Sequence, residues 1–317
     1  MAASQIIFMF SGQGSQYFHM GEALFHGNRT FREWMLGLDD VVRRLSGHSV
    51  LQPLYSKECG KGDPFNRTLL THPSIFMVEY SMAQCLMQAG IWPDMVLGVS
   101  LGSFAAAAVA GCIGVEDALT AVVQQAMAIE ECCESGGMTA VLADLAIFRD
   151  CFLDEYGELG AVNFSSHFVV SARRTDLAEI ETRLKKNGIG YQRLPVLFPF
   201  HSRWIDPAQA RFELFTSSIE CTKSRLPLAC CARAEILSDL PPGHFWNAVR
   251  LPIHFREMTA KLERGGPWMY IDAGPSGTLA TFLKYGVPSD TGSTMHAIMT
   301  PYGHDQKNLL ALLTARR

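Results

Sequence analysis

An α/β fold, in which a parallel sheet carries a smaller inserted β-α-β-β-α-β unit, is what this 317-residue sequence predicts. Three observations lead there. Short apolar runs at 5–11 (QIIFMFS), 93–100 (PDMVLGVS) and 267–274 (PWMYIDAG) have the form of strands buried on both faces, each followed by or ending at a turn residue. Helix-like segments separate them, as at 72–90, where Ile75, Val78, Met82 and Leu86 recur on one helical face. From 137 to 197 the pattern changes to strand (MTAVLA), helix (DLAIFRDCFLDEYG), two strands (AVNF and HFVVSA), helix (TDLAEIETRLKKNG) and strand (YQRLPV), which is the signature of a ferredoxin-like unit. The domains are therefore read as a large one over 1–136 and 198–317 and a small one over 137–197. The Pro/Gly-rich stretch 240–247 (LPPGHFWN) reads as a surface connection.

Composition narrows the function classes. With 48% hydrophobic residues the chain can bury a large core. Its 27 basic and 31 acidic residues give a net charge of −4 without a basic cluster, so neither nucleic acid nor an anionic membrane is an expected partner. No apolar run is long enough to span a bilayer and the start lacks the pattern of a signal peptide. Nine cysteines, with adjacent pairs at 132–133 and 230–231 and no C-x-x-C, read as reduced thiols of a cytoplasmic protein and not as metal ligands.

The chemistry centres on Gly98-Val99-Ser100-Leu101-Gly102. A G-x-S-x-G pentapeptide between a strand and a helix forms a tight turn that lifts the serine hydroxyl above the sheet. Ser100 is the expected nucleophile, and the Leu101 N–H at the start of the following helix is the expected first oxyanion donor. A second donor must come from another loop; FSGQGSQ after the first strand offers the Gln13 N–H. That loop lacks the lysine of a phosphate-binding loop and the third glycine of a dinucleotide loop, so a nucleotide site is not expected. A serine hydroxyl also needs a base. Among ten histidines, His201 in LFPFHSRWIDP stands where the chain leaves the inserted unit. Asp206 and Asp272 are possible carboxylate partners for it, though each fits better as a turn cap or a strand end.

Taken together, FMFSGQGSQYFHMG, THPSIFMVEYSMAQCL, GVSLGSFAAAAVAG, VNFSSHFVVSA, FPFHSRWIDP and YIDAGPSGTLATFL resemble the malonyl-CoA:acyl-carrier-protein acyltransferase family of fatty-acid and polyketide synthesis, from about residue 5 to 300. The resemblance implies a hydrolase-like large domain with a ferredoxin-like small one. It also implies a Ser100/His201 dyad that forms an acyl-serine ester, and an oxyanion held by the N–H groups of Gln13 and Leu101. The histidine of this family is oriented by a main-chain carbonyl, and the matching stretch WNAVRLPIHF puts it at Ala248.

The departures from the family pattern bear on substrate. Malonyl-using members carry an arginine on the helix after the elbow that forks around the substrate carboxylate; here that position is Gln125. Loss of a charge-assisted pair costs about 1.5–3 kcal/mol, and an unpaired buried carboxylate adds several kcal/mol. Acetyl and longer neutral acyl groups are thus the expected guests. His72 replaces a family glutamine, Val99 replaces a histidine, and Phe198 and Phe200 stand in the segment that tracks acyl choice.

Loss of that arginine resembles the free-standing acyl hydrolases of trans-acyltransferase polyketide pathways, of the pederin and bacillaene type. This implies release of stalled acyl groups from the phosphopantetheine of acyl carrier proteins, with no cofactor and a monomeric enzyme. Arg203, Arg250 and Arg256 are candidates for steering an acidic carrier. Transfer of a non-malonyl acyl group to a second thiol is the alternative reading. A non-catalytic carrier-binding module and a generic small-ester hydrolase fit less well, since nucleophile, base, glycine-rich loop and inserted unit all occur together.

Overall fold

A computed structural model describes residues 5–314. Its strands are β1 (Gln5–Phe10), β2 (Met95–Gly98), β3 (Gly136–Leu142), β4 (Glu158–Phe164), β5 (His167–Arg173), β6 (Gly190–Arg193), β7 (Leu228–Cys230), β8 (Glu235–Leu237), β9 (Trp268–Asp272) and β10 (Thr294–Ala297). They form two sheets. The larger has the order β10-β9-β1-β2-β7-β8, with every pairing parallel except the edge hairpin β7–β8. Strand β1 lies near its middle, and Ile7, Phe8, Met9 and Phe10 are wholly buried, as an apolar run covered by helices on both faces must be.

The smaller sheet is antiparallel in the order β4-β5-β3-β6, the ferredoxin-like arrangement. One of its helices differs from expectation. The segment 144–157 forms only a helical turn at Ile147–Asp150 and a 3-10 turn at Leu153–Glu155. Between them Phe152 adopts a left-handed conformation at φ 55°, which stops an α-helix and lets Cys151 and Leu153 fold onto the small core. The second helix, Arg174–Lys186, is formed in full and buries Leu177, Ile180 and Leu184.

Two further expectations are corrected. The helix containing Ile75 and Val78 runs from Thr68 to Gln88 and is buried on nearly all sides, because helices Arg29–Ser46, Gly102–Val109 and Val115–Cys132 all pack around it. The stretch 240–247 is only in part a surface connection. A helix, His244–Arg250, starts inside it behind Gly243, and Phe245 stacks on Phe104 at 4.6 Å. Among the described residues no helix is long and apolar enough to cross a membrane.

Candidate active site

Ser100 lies two residues beyond the end of β2, after Val99, at φ 54°, a left-handed conformation for a residue with a Cβ. The strain is held by the turn around it. Gly102 sits so close to β1 that a Cβ there would lie 2.2 Å from the Phe10 carbonyl oxygen. The first helical N–H groups close tight turns, Gly102 to Val99 O and Ser103 to Ser100 O, while the Leu101 N–H has no acceptor among the described residues. Helix Gly102–Val109 thus starts beside the serine with its positive end toward it.

His201 stands over this hydroxyl, with Ser100 Oγ and His201 Nε2 2.8 Å apart. Its Nδ1 is 2.7 Å from the carbonyl oxygen of Leu251. A carbonyl only accepts, so Nδ1 carries the proton and Nε2 is left free to accept from the serine. The orienting carbonyl therefore belongs to Leu251 and not to Ala248, which is inside helix His244–Arg250; Leu251 follows the helix in extended backbone, where a carbonyl is free to turn outward. Asp272 is no partner of His201: it accepts from the N–H groups of Gly274 and Ala280, each at 2.9 Å. Asp206 pairs with Arg250.

The segment carrying His201 is fastened on one side by helix His244–Arg250 and on the other by the small sheet. The His201 N–H donates to Val249 O at 2.9 Å, and Ser171 of β5 donates its hydroxyl to the carbonyl of Phe200. Burial pushes the His201 imidazole down to about 4, against a smaller upward pull from the Leu251 carbonyl, and Arg250 adds to the lowering. The ring is thus neutral, as a base must be, across the physiological range. We expect the kcat/KM of the free enzyme to hold level down to about pH 5 and to fall as the ring protonates near 4. A pH series on a stable acyl thioester checks this; an acid limb at 6.5 would mean a solvated ring.

The loop 11–16 faces the serine from the end of β1. A Cβ on Gly12 would meet Ser100 Cβ at 2.8 Å, and the Gln13 N–H, like that of Leu101, has no acceptor among the described residues. Both N–H groups are therefore free beside the nucleophile. Side chains pin the loop: Ser15 Oγ donates to Gly12 O at 2.8 Å, Gln16 Oε1 accepts from Gly14 N at 2.7 Å, and Gln13 Nε2 donates to Thr71 at 2.7 Å.

Beneath the loop lies a residue the sequence reading missed. Glu79 is fully buried, and its Oε1 accepts from the Ser11 N–H at 2.6 Å and the Ser11 hydroxyl at 2.8 Å. Burial pushes its carboxyl well above the usual range, against the lowering pull of the two hydrogen bonds from Ser11 and with a smaller upward push from Asp272. A lone acid among the apolar residues of FMVEYSM was the available signal. Glu79→Gln, which keeps the accepting oxygen, is expected to preserve activity. Glu79→Leu strands the buried Ser11 N–H at about 1–3 kcal/mol, leaves the Ser11 hydroxyl with Ser15 Oγ at 3.0 Å, and is expected to lower both melting temperature and kcat; thermal melts and single-turnover rates on the two variants check this.

A cleft of about 120 Å3 opens between the sheets, and Gln13, Val99, Ser100, Phe200 and His201 line it. Asn163 and His167, also unforeseen, line it from the small sheet. None of its lining residues is Lys, Arg, Asp or Glu. Three predicted residues lie elsewhere. Phe198 is buried behind Phe200, edge to face at 6.4 Å. His72 is buried with its ring 5.4 Å from that of Phe200, so Phe200 stands between it and the cleft.

Gln125 is buried on helix Val115–Cys132. The Leu69 N–H donates to Glu130 on that helix at 3.0 Å, which ties together the two helices that carry His72 and Gln125. The side-chain polar atoms of both residues lack a partner among the described residues, and burial lowers the His72 imidazole to about 3. Of the candidate steering residues, Arg203 pairs with Glu158 at 3.2 Å and Arg250 with Asp206, while Arg256 has no ion pair among the described residues.

Comparison with known proteins adds relatives to this geometry. The acyl transferase domain family matches residues 7–317. The chain is 44% identical over 305 residues to the polyketide biosynthesis acyltransferase homolog BaeD of Bacillus velezensis, spanning 96% of this chain and 94% of that protein. It is 42% identical, with the same coverage, to the homolog PksD of Bacillus subtilis. Among solved structures, a loading acyltransferase from the avermectin modular polyketide synthase superposes with a TM-score of 0.89 at 24% identity, covering 98% of this chain and all of that one. At those identities the likeness concerns the fold.

Proposed function

Because the chain belongs to the acyl transferase domain family, we propose that it hydrolyses neutral acyl thioesters carried by acyl carrier proteins of a polyketide pathway, through an ester on Ser100. The carrying observation is the 2.8 Å contact between Ser100 Oγ and a neutral His201 Nε2 in a cleft with no charged wall.

In this mechanism His201 takes the Ser100 proton as the hydroxyl oxygen attacks the thioester carbonyl. The oxyanion is met by the Gln13 and Leu101 N–H groups. Collapse expels the carrier's pantetheine thiol, which takes the proton back from His201. Water then enters and attacks the ester carbonyl as His201 removes its proton; the adduct collapses, Ser100 Oγ takes that proton back from His201, and the acyl group leaves as a carboxylic acid. Nucleophile, base and oxyanion donors all come from the chain, so this chemistry calls for no cofactor. A dicarboxylic half-ester is disfavoured, since its carboxylate would lose water without gaining a cation.

Acetyl-, longer acyl- and malonyl-loaded carriers, mixed with the protein with and without an unloaded carrier, test both parts by mass spectrometry. Free acid from the neutral carriers is the expected product. Acyl groups recovered mainly on the second carrier would make the protein a transferase, and malonyl release as fast as acetyl would overturn the specificity.

A further inference from the structure

The hairpin joining β4 to β5 brings a second histidine to the mouth of the cleft. His167 opens β5, directly after the exposed Ser165 and Ser166, and lines the cleft. Its ring packs with those of Phe164 and Phe282, at 5.1 Å to each centroid. Asn163 Nδ2 lies 3.1 Å from His167 Nδ1. A carboxamide nitrogen only donates, so Nδ1 accepts and the neutral ring carries its proton on Nε2. Burial lowers the imidazole from its ordinary range, so the ring meets a ligand uncharged. With Nδ1 occupied, the hairpin offers one oriented, neutral N–H to whatever enters the mouth.

We propose that His167 Nε2–H, oriented by Asn163, binds a carbonyl oxygen of the acyl donor. The inference rests on the reading of Ser100 as a thioester-cleaving nucleophile. A single uncharged donor between aromatic rings suits a single uncharged acceptor, which excludes phosphate or carboxylate as its partner. Two parts of a carrier-bound thioester supply such an oxygen: an amide of the pantetheine arm, and an oxo group at C3 of the acyl chain. The rim position favours the arm, which occupies the mouth while its acyl carbon is at Ser100.

Three thioesters separate the sources: S-butyryl ethanethiol, which has neither oxygen; S-butyryl-N-acetylcysteamine, which has the amide; and S-3-oxobutyryl ethanethiol, which has the C3 oxygen. Acylation of Ser100 is followed by release of the thiol, trapped with a chromogenic disulfide, so the fate of the ester does not enter. His167→Phe, which keeps ring packing and removes the donor, is expected to lower kcat/KM about three- to tenfold through KM on the amide substrate. It should leave S-butyryl ethanethiol unchanged, and His167→Gln, which keeps a donor, should recover most of the loss.

A loss confined to the 3-oxo substrate supports the same donor with the acyl chain as its acceptor. An equal loss on all three substrates, or none on either oxygen-bearing one, overturns the proposal. Wild-type protein that releases no thiol from any of the three overturns the Ser100 reading and this inference with it.

Discussion

Ser100→Ala will form no acyl-enzyme and will lose about 10^4-fold or more of kcat, as removal of a nucleophile does when base and nucleophile act as a unit. The fold should be spared. Ser100 is already in a left-handed conformation, held by the close packing of Gly102 on the backbone of Phe10 and not by its hydroxyl, whose one partner among the described residues is His201. Intact-protein mass after mixing with an acyl thioester, together with a thermal melt, checks both statements. Turnover at the wild-type rate in this variant would remove Ser100 from the mechanism.

Gln125→Arg should raise malonyl loading relative to acetyl by about ten- to a hundredfold, the worth of a charge-assisted pair. It should also depress loading of longer neutral chains, which would then face a buried cation. The structure sharpens what the experiment reports. Gln125 does not line the open cleft, and its buried amide has no hydrogen-bond partner among the described residues. Competition between malonyl- and acetyl-loaded carriers measures the ratio. An unchanged ratio in a folded variant would mean that the acyl chain stops at Phe200 and that Gln125 does not read it.

Local signals carried far in this chain. The three apolar runs that end at turns are three adjacent strands, β2, β1 and β9, and the serine stands at the end of one of them because a strand meeting G-x-S-x-G has one way to turn. His201 was legible through its place at the exit of the inserted unit and through resemblance. What escaped was set by contacts distant in sequence. Leu251 is fifty residues from the ring it orients, and sequence spacing does not say which carbonyl beyond a helix end turns outward. Glu79 and His167 were quoted within apolar stretches whose periodicity spoke for packing alone. Periodicity also misjudged 144–157, where one left-handed residue, Phe152, divides what the pattern read as one helix.

The attachment of the His201 segment to the small sheet on one side and to the end of helix His244–Arg250 on the other has a mechanical consequence. The carbonyl before the ring is held by Ser171 in the small layer, and the ring itself by Leu251 in the large one. The base therefore bridges a seam, and slippage along that seam lengthens the proton-transfer distance before either half begins to melt. Inactivation would then precede denaturation, and a cargo-laden partner that wedges or clamps the two halves would throttle turnover without ever touching the serine.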